Sequence, residues 1–261
     1  MSAWSSAWFG DVVNPDGEGP VVVALPYAGG SGRAFRGLHR YLPPDSVLVL
    51  VDLPGHGTRL GEPCLREAED IVVALLEALA ALPARRLVLL GYSMGGWLAY
   101  EAAARLREAG APPAGLFVCG SRAPHTGIGH PSVTRHAPGP EFLRDAVAAG
   151  LAAPEMLEVP GMAELFAEPL HADFAVVRSY RYRPSPPLPV PTYVVGFDAD
   201  WLVPGPTLRA WDEVCVLPRH GRIAGSHLAL HEDEAAFGAA LSSGMAHVYP
   251  AETHRSQNAG P

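Results

Sequence analysis

The sequence predicts an α/β fold: a mostly parallel central sheet with helices on both faces. Three observations predict it. Short apolar runs recur along the 261 residues. They are continuous rather than alternating, as expected of strands covered on both sides. Helical patterns fall between them, giving the βαβα order of a parallel sheet.

The elements follow in order. Residues 9–13 (FGDVV) add an edge strand at the start. Residues 20–26 (PVVVALP) read as a buried strand, and 31–42 as a helix with Phe35, Leu38 and Leu42 on one face. A strand at 47–52 (VLVLVD) precedes a helix at 66–82, where Val72, Leu75, Leu76 and Leu79 recur at helical spacing. The strand 86–91 runs directly into a helix at 93–109, and 115–120 (GLFVCG) forms the next strand. Two further strands are expected at 190–196 and 213–218.

One stretch breaks this rhythm. Residues 121–189 contain no clear strand, but helical patterns at 139–150 and 169–182, the latter burying Leu170, Phe174 and Val177. So long an excursion in a compact domain reads as a lid inserted over one edge of the sheet. The tail 246–261 is polar and reads as flexible. The whole, 1–261, reads as one domain, and no internal repeat is evident.

Composition narrows the function. A chain of this size buries about three quarters of its unfolded surface, so it needs no disulfide or metal staple. Hydrophobic residues make up 48% and charged ones 18%, which excludes global disorder. The net charge is −8, and all 19 basic residues are Arg. The absence of Lys excludes a Schiff-base lysine, a Walker lysine and a Ser–Lys pair. An acidic chain without a basic block is a poor nucleic-acid ligand. Cys64, Cys119 and Cys215 form no CxxC pair and suggest neither a disulfide framework nor a metal site. Cys119 and Cys215 lie in apolar runs and are expected to be buried thiols. No apolar run approaches the roughly 18 residues of a membrane span. The N-terminus lacks a basic start and an apolar core, so a soluble, cytoplasmic protein is expected.

Chemistry concentrates in a few places. Gly91-Tyr-Ser-Met-Gly95 is a GxSxG pentapeptide between a strand and a helix. This context projects the serine hydroxyl above the carboxyl edge of a sheet, at a helix N-terminus that favours an anion. Ser93 is therefore the candidate nucleophile. A serine needs a base, and in this arrangement acid and histidine follow it in that order. Asp198 and Asp200 both end the 192–196 strand region. The pattern D-x-x-V-P favours Asp200, leaving Asp198 to cap its loop. His220, His227 and His231 follow the expected last strand. His227, in Gly225-Ser-His, has small neighbours that let its loop approach Ser93. His231 suits a solvated helix position, and His56, ahead of Ser93, a loop position. The oxyanion of acyl transfer needs two amides. Met94 supplies one, and Ala28 in Pro26-Tyr-Ala-Gly-Gly-Ser31 the other.

These residues together resemble the type II thioesterases, stand-alone partners of polyketide synthases and nonribosomal peptide synthetases. The likeness runs from about Val21 to Phe237, carried by the PxAGGS loop, GYSMGG, the Asp200 turn and Gly225-Ser-His. It implies an α/β-hydrolase fold with a helical lid and a Ser93–Asp200–His227 triad. It also implies hydrolysis of acyl groups from the phosphopantetheine arm of an acyl carrier or peptidyl carrier protein. The enzyme itself then needs no cofactor. Three departures bear on the acyl pocket: Trp201 after the acid, Phe197 before its turn, and GSHLAL around the histidine. A carboxylesterase, a lipase, an acyltransferase or a cyclase would use the same triad.

Carriers are acidic by the same resemblance, so docking on an acidic chain needs a local positive patch. Arg33, Arg36 and Arg40 recur at i, i+3 and i+7 on one expected helical face. Arg178, Arg181 and Arg183 form a second cluster.

Overall fold

The computed structural model describes residues 4–82, 86–127 and 136–250. Its centre is a seven-stranded sheet. The strands are β1 (Phe9–Val13), β2 (Val21–Leu25), β3 (Val47–Val51), β4 (Leu87–Tyr92), β5 (Gly115–Cys119), β6 (Thr192–Phe197) and β7 (Arg219–Ile223). Their spatial order is β1-β3-β2-β4-β5-β6-β7. Only β1 runs antiparallel, against β3; the other pairs are parallel. This is the mostly parallel α/β architecture that the sequence predicts.

The central strands are apolar throughout because both of their faces are covered. On one face, Val21, Val23 and Leu25 pack with helices α1 (Ala68–Ala80) and α2 (Met94–Glu108). On the other, Val22, Ala24, Leu48 and Leu50 meet Phe35, Leu38 and Phe237. Successive side chains point to opposite faces, so a strand with no polar position fills two cores. Cys119 and Cys215 are both buried free thiols, as expected.

The excursion after β5 carries α3 (Pro140–Ala148), α4 (Glu155–Glu158) and α5 (Met162–Ser179). These helices share a small core of Phe142, Leu143, Ala146, Ala167 and Leu170. After β6 come α6 (Gly205–Arg209), then α7 (Ala229–Glu232) and α8 (Glu234–Val248) beyond β7. Asp233 caps α8 by accepting the Ala236 amide.

Four expectations need correction. The apolar run 213–218 is not a strand. Val214 and Cys215 are buried, Cys215 makes an isolated bridge to Leu188, and Leu217 turns out to solvent with φ 50°. The last strand is the polar β7, which lies at the sheet edge, where charged side chains are tolerated and discourage further pairing. His220 consequently lies within the last strand instead of after it.

The 31–42 helix is a 3₁₀ helix over Gly32–Tyr41. Its buried residues Gly32, Phe35 and Leu38 recur every third position, which matches three residues per turn. A Cβ on Gly32 would lie 2.7 Å from the Leu50 backbone, so the sheet holds this segment very close. Leu42 then falls at the helix end.

The helix expected at 169–182 begins at Met162, with Pro169 inside it. Proline there removes one helical hydrogen bond, and burial of Ala167, Pro169 and Leu170 offsets that loss. Finally, α8 continues to Val248, which is buried, so the polar tail starts later than 246. Residues 251–261 lie outside the described residues. Among the described residues, no helix is long and apolar enough to cross a membrane.

Candidate active site

Parallel strands bring their carboxyl ends to one edge, and four loops there build the site. They follow β2, β4, β6 and β7.

The turn after β4 is tight. Ser93 adopts φ 51° and ψ −114°, outside the regions open to ordinary residues. Such a conformation costs about 1–3 kcal/mol and persists only where neighbours enforce it. Here the Ser93 amide donates to the Cys119 carbonyl at 2.8 Å. The two glycines of the pentapeptide are required by space. A Cβ on Gly91 would sit 2.2 Å from the Gly95 carbonyl oxygen, and one on Gly95 2.3 Å from that of Leu25.

The Ser93 hydroxyl lies 2.9 Å from His227 Nε2. His227 Nδ1 lies 2.8 Å from Asp200 Oδ2. A carboxylate only accepts, so Nδ1 carries the proton and Nε2 is free to accept from Ser93. Asp200 is fully occupied: its Oδ1 accepts the amides of Leu202 at 2.9 Å and Val203 at 3.2 Å. This is what the D-x-x-V-P turn does, and the Asp200 side chain is completely buried. Asp198, by contrast, is exposed and pairs with Arg222.

The other candidate histidines stand apart from this line. His220 pairs with Asp212 at 2.7 Å. His231, in α7, meets the Tyr27 hydroxyl, whose pKa burial pushes up to about 12. His56 is buried in the loop after β3, with Nε2 3.0 Å from Asp173 of α5.

Ala28 and Met94 line the same cleft as Ser93 and His227. Met94 is the first residue of α2, so its amide belongs to the helix N-terminal groups that lack an intrahelical partner. The cleft has a volume of about 110 Å³. Trp97, Leu151, Phe174, Val177, Leu202 and Leu228 give it apolar walls. Phe174 and Val177, expected to be buried, are only partly so because they face this space. Of the three departures noted above, the leucine after His227 reaches the cleft itself. Phe197 packs beneath it, stacked on Tyr92, in room left by Gly120.

Two supporting residues were not legible in the sequence. Tyr92, the last residue of β4, is buried, and its hydroxyl donates to the His227 carbonyl oxygen at 2.7 Å. Asp173, on α5, accepts the Gly29 amide at 2.7 Å.

The docking arginines are rearranged by the 3₁₀ helix. With three residues per turn, Arg33 and Arg36 share a ridge and Arg40 lies on another. The expected single face is therefore not formed. Arg36 pairs with Asp11 and Arg40 with Glu234. Arg33 makes no ion pair among the described residues. In the second cluster, Arg183 lies 3.6 Å from Glu108, and Arg181 donates to the Arg178 and Tyr180 carbonyls.

A serine, a base and a buried acid in line, opening into an apolar cleft, suit acyl transfer. A thioesterase-domain family model matches residues 20–238. The chain belongs to the thioesterase family. It is thus a serine hydrolase acting on thioesters, on the α/β-hydrolase fold. Over 208 residues it is 35% identical to the AMB antimetabolite synthetase AmbE of Pseudomonas aeruginosa. That match covers 79% of this chain but only 10% of the synthetase. It is 28% identical to the gramicidin S biosynthesis protein GrsT of Aneurinibacillus migulanus, over 80% of this chain and 82% of that protein. Among solved structures it superimposes on the type II thioesterase BorB of the borrelidin biosynthetic cluster, with a TM-score of 0.79 and 26% identity. The alignment covers 87% of this thioesterase and 93% of BorB.

Proposed function

We propose that the protein hydrolyses acyl groups from the phosphopantetheine arm of an acyl carrier or peptidyl carrier protein. In this reading it clears misprimed or stalled chains from a polyketide or nonribosomal peptide assembly line, in the cytoplasm. The observation that carries the reading is the hydrogen-bonded line Asp200–His227–Ser93, at 2.8 and 2.9 Å, opening into an apolar cleft.

The chemistry proceeds in two halves. Ser93 Oγ attacks the thioester carbonyl while His227 Nε2 takes its proton. Asp200 holds the imidazole in the right tautomer and stabilises the imidazolium. The amides of Ala28 and Met94 receive the oxyanion; removing one such donor typically costs about 2.7–4 kcal/mol of barrier. The C–S bond breaks, the thiol leaves with the proton from His227, and an acyl-serine remains. Water, deprotonated by His227, then adds to the acyl carbon. Ser93 leaves with that proton and the free acid departs. No resident cofactor enters either half.

The insertion 121–189 serves as the lid. Leu151, Phe174 and Val177 from it wall the cleft, so its seat decides how much acyl chain fits. Residues 128–135 of this segment lie outside the described residues.

The test is an acyl panel presented three ways: on a carrier, on a small thiol, and as the matching oxygen ester. Turnover of thioesters to free acid, with the carrier-bound form preferred, is expected. Preference for oxygen esters would favour an esterase or lipase. Products capped by an alcohol or amine would favour a transferase or cyclase.

Docking follows from charge. Arg33 is the centre of the positive patch we propose beside the oxyanion loop, with Arg36 and Arg40 adding what their carboxylates leave uncompensated. Arg33→Glu should lower kcat/KM roughly tenfold for carrier-bound substrate, with the loss shrinking at high salt. Small thioesters should be unaffected. Equal losses on both, or none on either, would refute the patch.

A further inference from the structure

The loop after β2 owes its shape to a residue of the insertion. The Gly30 amide donates to the Tyr27 carbonyl at 2.9 Å, and Gly29 has φ +77°. Together these define a type II turn, whose third residue must adopt a left-handed φ. In this turn the Tyr27 carbonyl is tied back by Gly30. The Ala28 amide, on the same peptide plane, therefore points the opposite way. Reversing the next peptide, Ala28–Gly29, would give a type I turn but leave the direction of the Ala28 amide unchanged, so the place of that amide depends on how the loop as a whole is held.

One side chain supplies that hold. Asp173 Oδ2 accepts the Gly29 amide at 2.7 Å. Asp173 is 1% exposed, on a helix whose other inward residues are apolar. A buried carboxylate is costly without partners. It has two here, because His56 Nε2 lies 3.0 Å from the same oxygen. Burial opposes charge on His56. Asp173, the Pro54 carbonyl and Asp52 outweigh this and raise the His56 pKa. One turn before Asp173, Leu170 presses on the same loop, where a Cβ on Gly29 would lie 2.7 Å from Leu170 Cδ1. The contact is therefore closed by glycine on one side and by a charge-assisted hydrogen bond on the other.

We propose that Asp173 is a positioning residue of the oxyanion hole, clamping the type II turn that presents the Ala28 amide and tying that turn to lid helix α5. The hole is then complete only when the lid helix is seated. This inference rests on the proposed roles of Ser93 and Ala28. An apolar residue at position 173 would pack α5 as well, but would leave the Gly29 amide unpaired and the loop that carries the Ala28 amide untethered from α5.

The test compares wild type, Asp173→Asn and Asp173→Ala by steady-state thioester hydrolysis and by the rate of Ser93 labelling with a fluorophosphonate. The phosphonyl oxygen uses the same amides as the oxyanion. Asp173→Ala should lose roughly 10- to 100-fold in kcat, with KM held within about threefold. Its labelling rate should fall in parallel. Asp173→Asn keeps an acceptor for Gly29 and should recover most of both rates. The labelling end-point counts folded sites, so each variant is scored on its folded fraction. If Asp173→Ala gives no folded protein, Asp173→Glu, with its carboxylate displaced by one methylene, should show the same kcat loss. Wild type labelled at Ser93 with the variants labelled at the same rate would overturn this inference alone. Wild type not labelled at Ser93 would overturn the active-site reading, and this inference with it.

Discussion

Ser93→Ala should reduce thioester hydrolysis by about 10⁶-fold, with the fold and substrate binding retained. The reason is positional. Ser93 sits alone at the point where a strained turn, a helix N-terminus and His227 Nε2 meet. Loss of the hydroxyl removes the proposed nucleophile without leaving a buried polar group unpaired, because His227 can meet water in the open cleft. The variant should remain folded, since Ala at this position keeps the backbone contact from the Ser93 amide to Cys119. Progress curves for acid release, beside thermal melts, decide it. A variant retaining more than about a thousandth of wild-type kcat would show that the nucleophile lies elsewhere.

Asp200→Asn should cost about 10⁴-fold in kcat, although it changes one atom. The geometry dictates how the amide must sit. Position Oδ1 accepts two backbone amides, from Leu202 and Val203, so the asparagine carbonyl must point there. Its NH₂ then faces His227 Nδ1, which must become an acceptor. The imidazole proton moves to Nε2, where it points at Ser93 and cannot take the serine proton. KM should change little, because neither oxygen of Asp200 faces the cleft. Activity should recover at high pH only as far as hydroxide replaces the lost base. A kcat within tenfold of wild type would mean that the carboxylate does not set the tautomer.

Much of the candidate site could be read from residue order because Ser93, Asp200 and His227, which the fold brings into line, sit in turns with a local signature. Gly91 is demanded by a backbone contact within the turn itself and Gly95 by the backbone at the end of β2, so the pentapeptide declares its geometry. Asp200 is held by amides two and three residues ahead, which is why the D-x-x-V-P pattern singles it out from Asp198. The central strands were equally plain, since burial on both faces leaves no polar position in β2, β3 or β5.

What stayed hidden depends on contacts distant in sequence. The edge strand β7 is polar because one of its sides has no neighbour, whereas the apolar 213–218 run reaches the core through only a few residues. The helix after the 26–31 loop tightened to a 3₁₀ helix because Gly32 lies against the Leu50 backbone, a contact with a strand beyond it in the chain. That change moved Arg40 off the ridge of Arg33 and Arg36. Tyr92 looks like the variable position of the pentapeptide, and its bond to the His227 carbonyl spans most of the chain. Asp173 did leave a trace: a lone carboxylate at helical spacing from Leu170 and Val177, on the face that should be apolar. Its partners, Gly29 and His56, are too distant in sequence for spacing to reveal.

In the proposed mechanism, catalysis passes through an ester on Ser93. The direct measurement is rapid acid quench of enzyme mixed with an acyl-loaded carrier, followed by mass analysis of the peptide that contains residue 93. A transient gain of the acyl mass on that serine is expected, formed and lost at rates that accommodate turnover, and absent in Ser93→Ala. Steady release of free acid with no acyl mass on Ser93 at any quench time, and undiminished in Ser93→Ala, would contradict it.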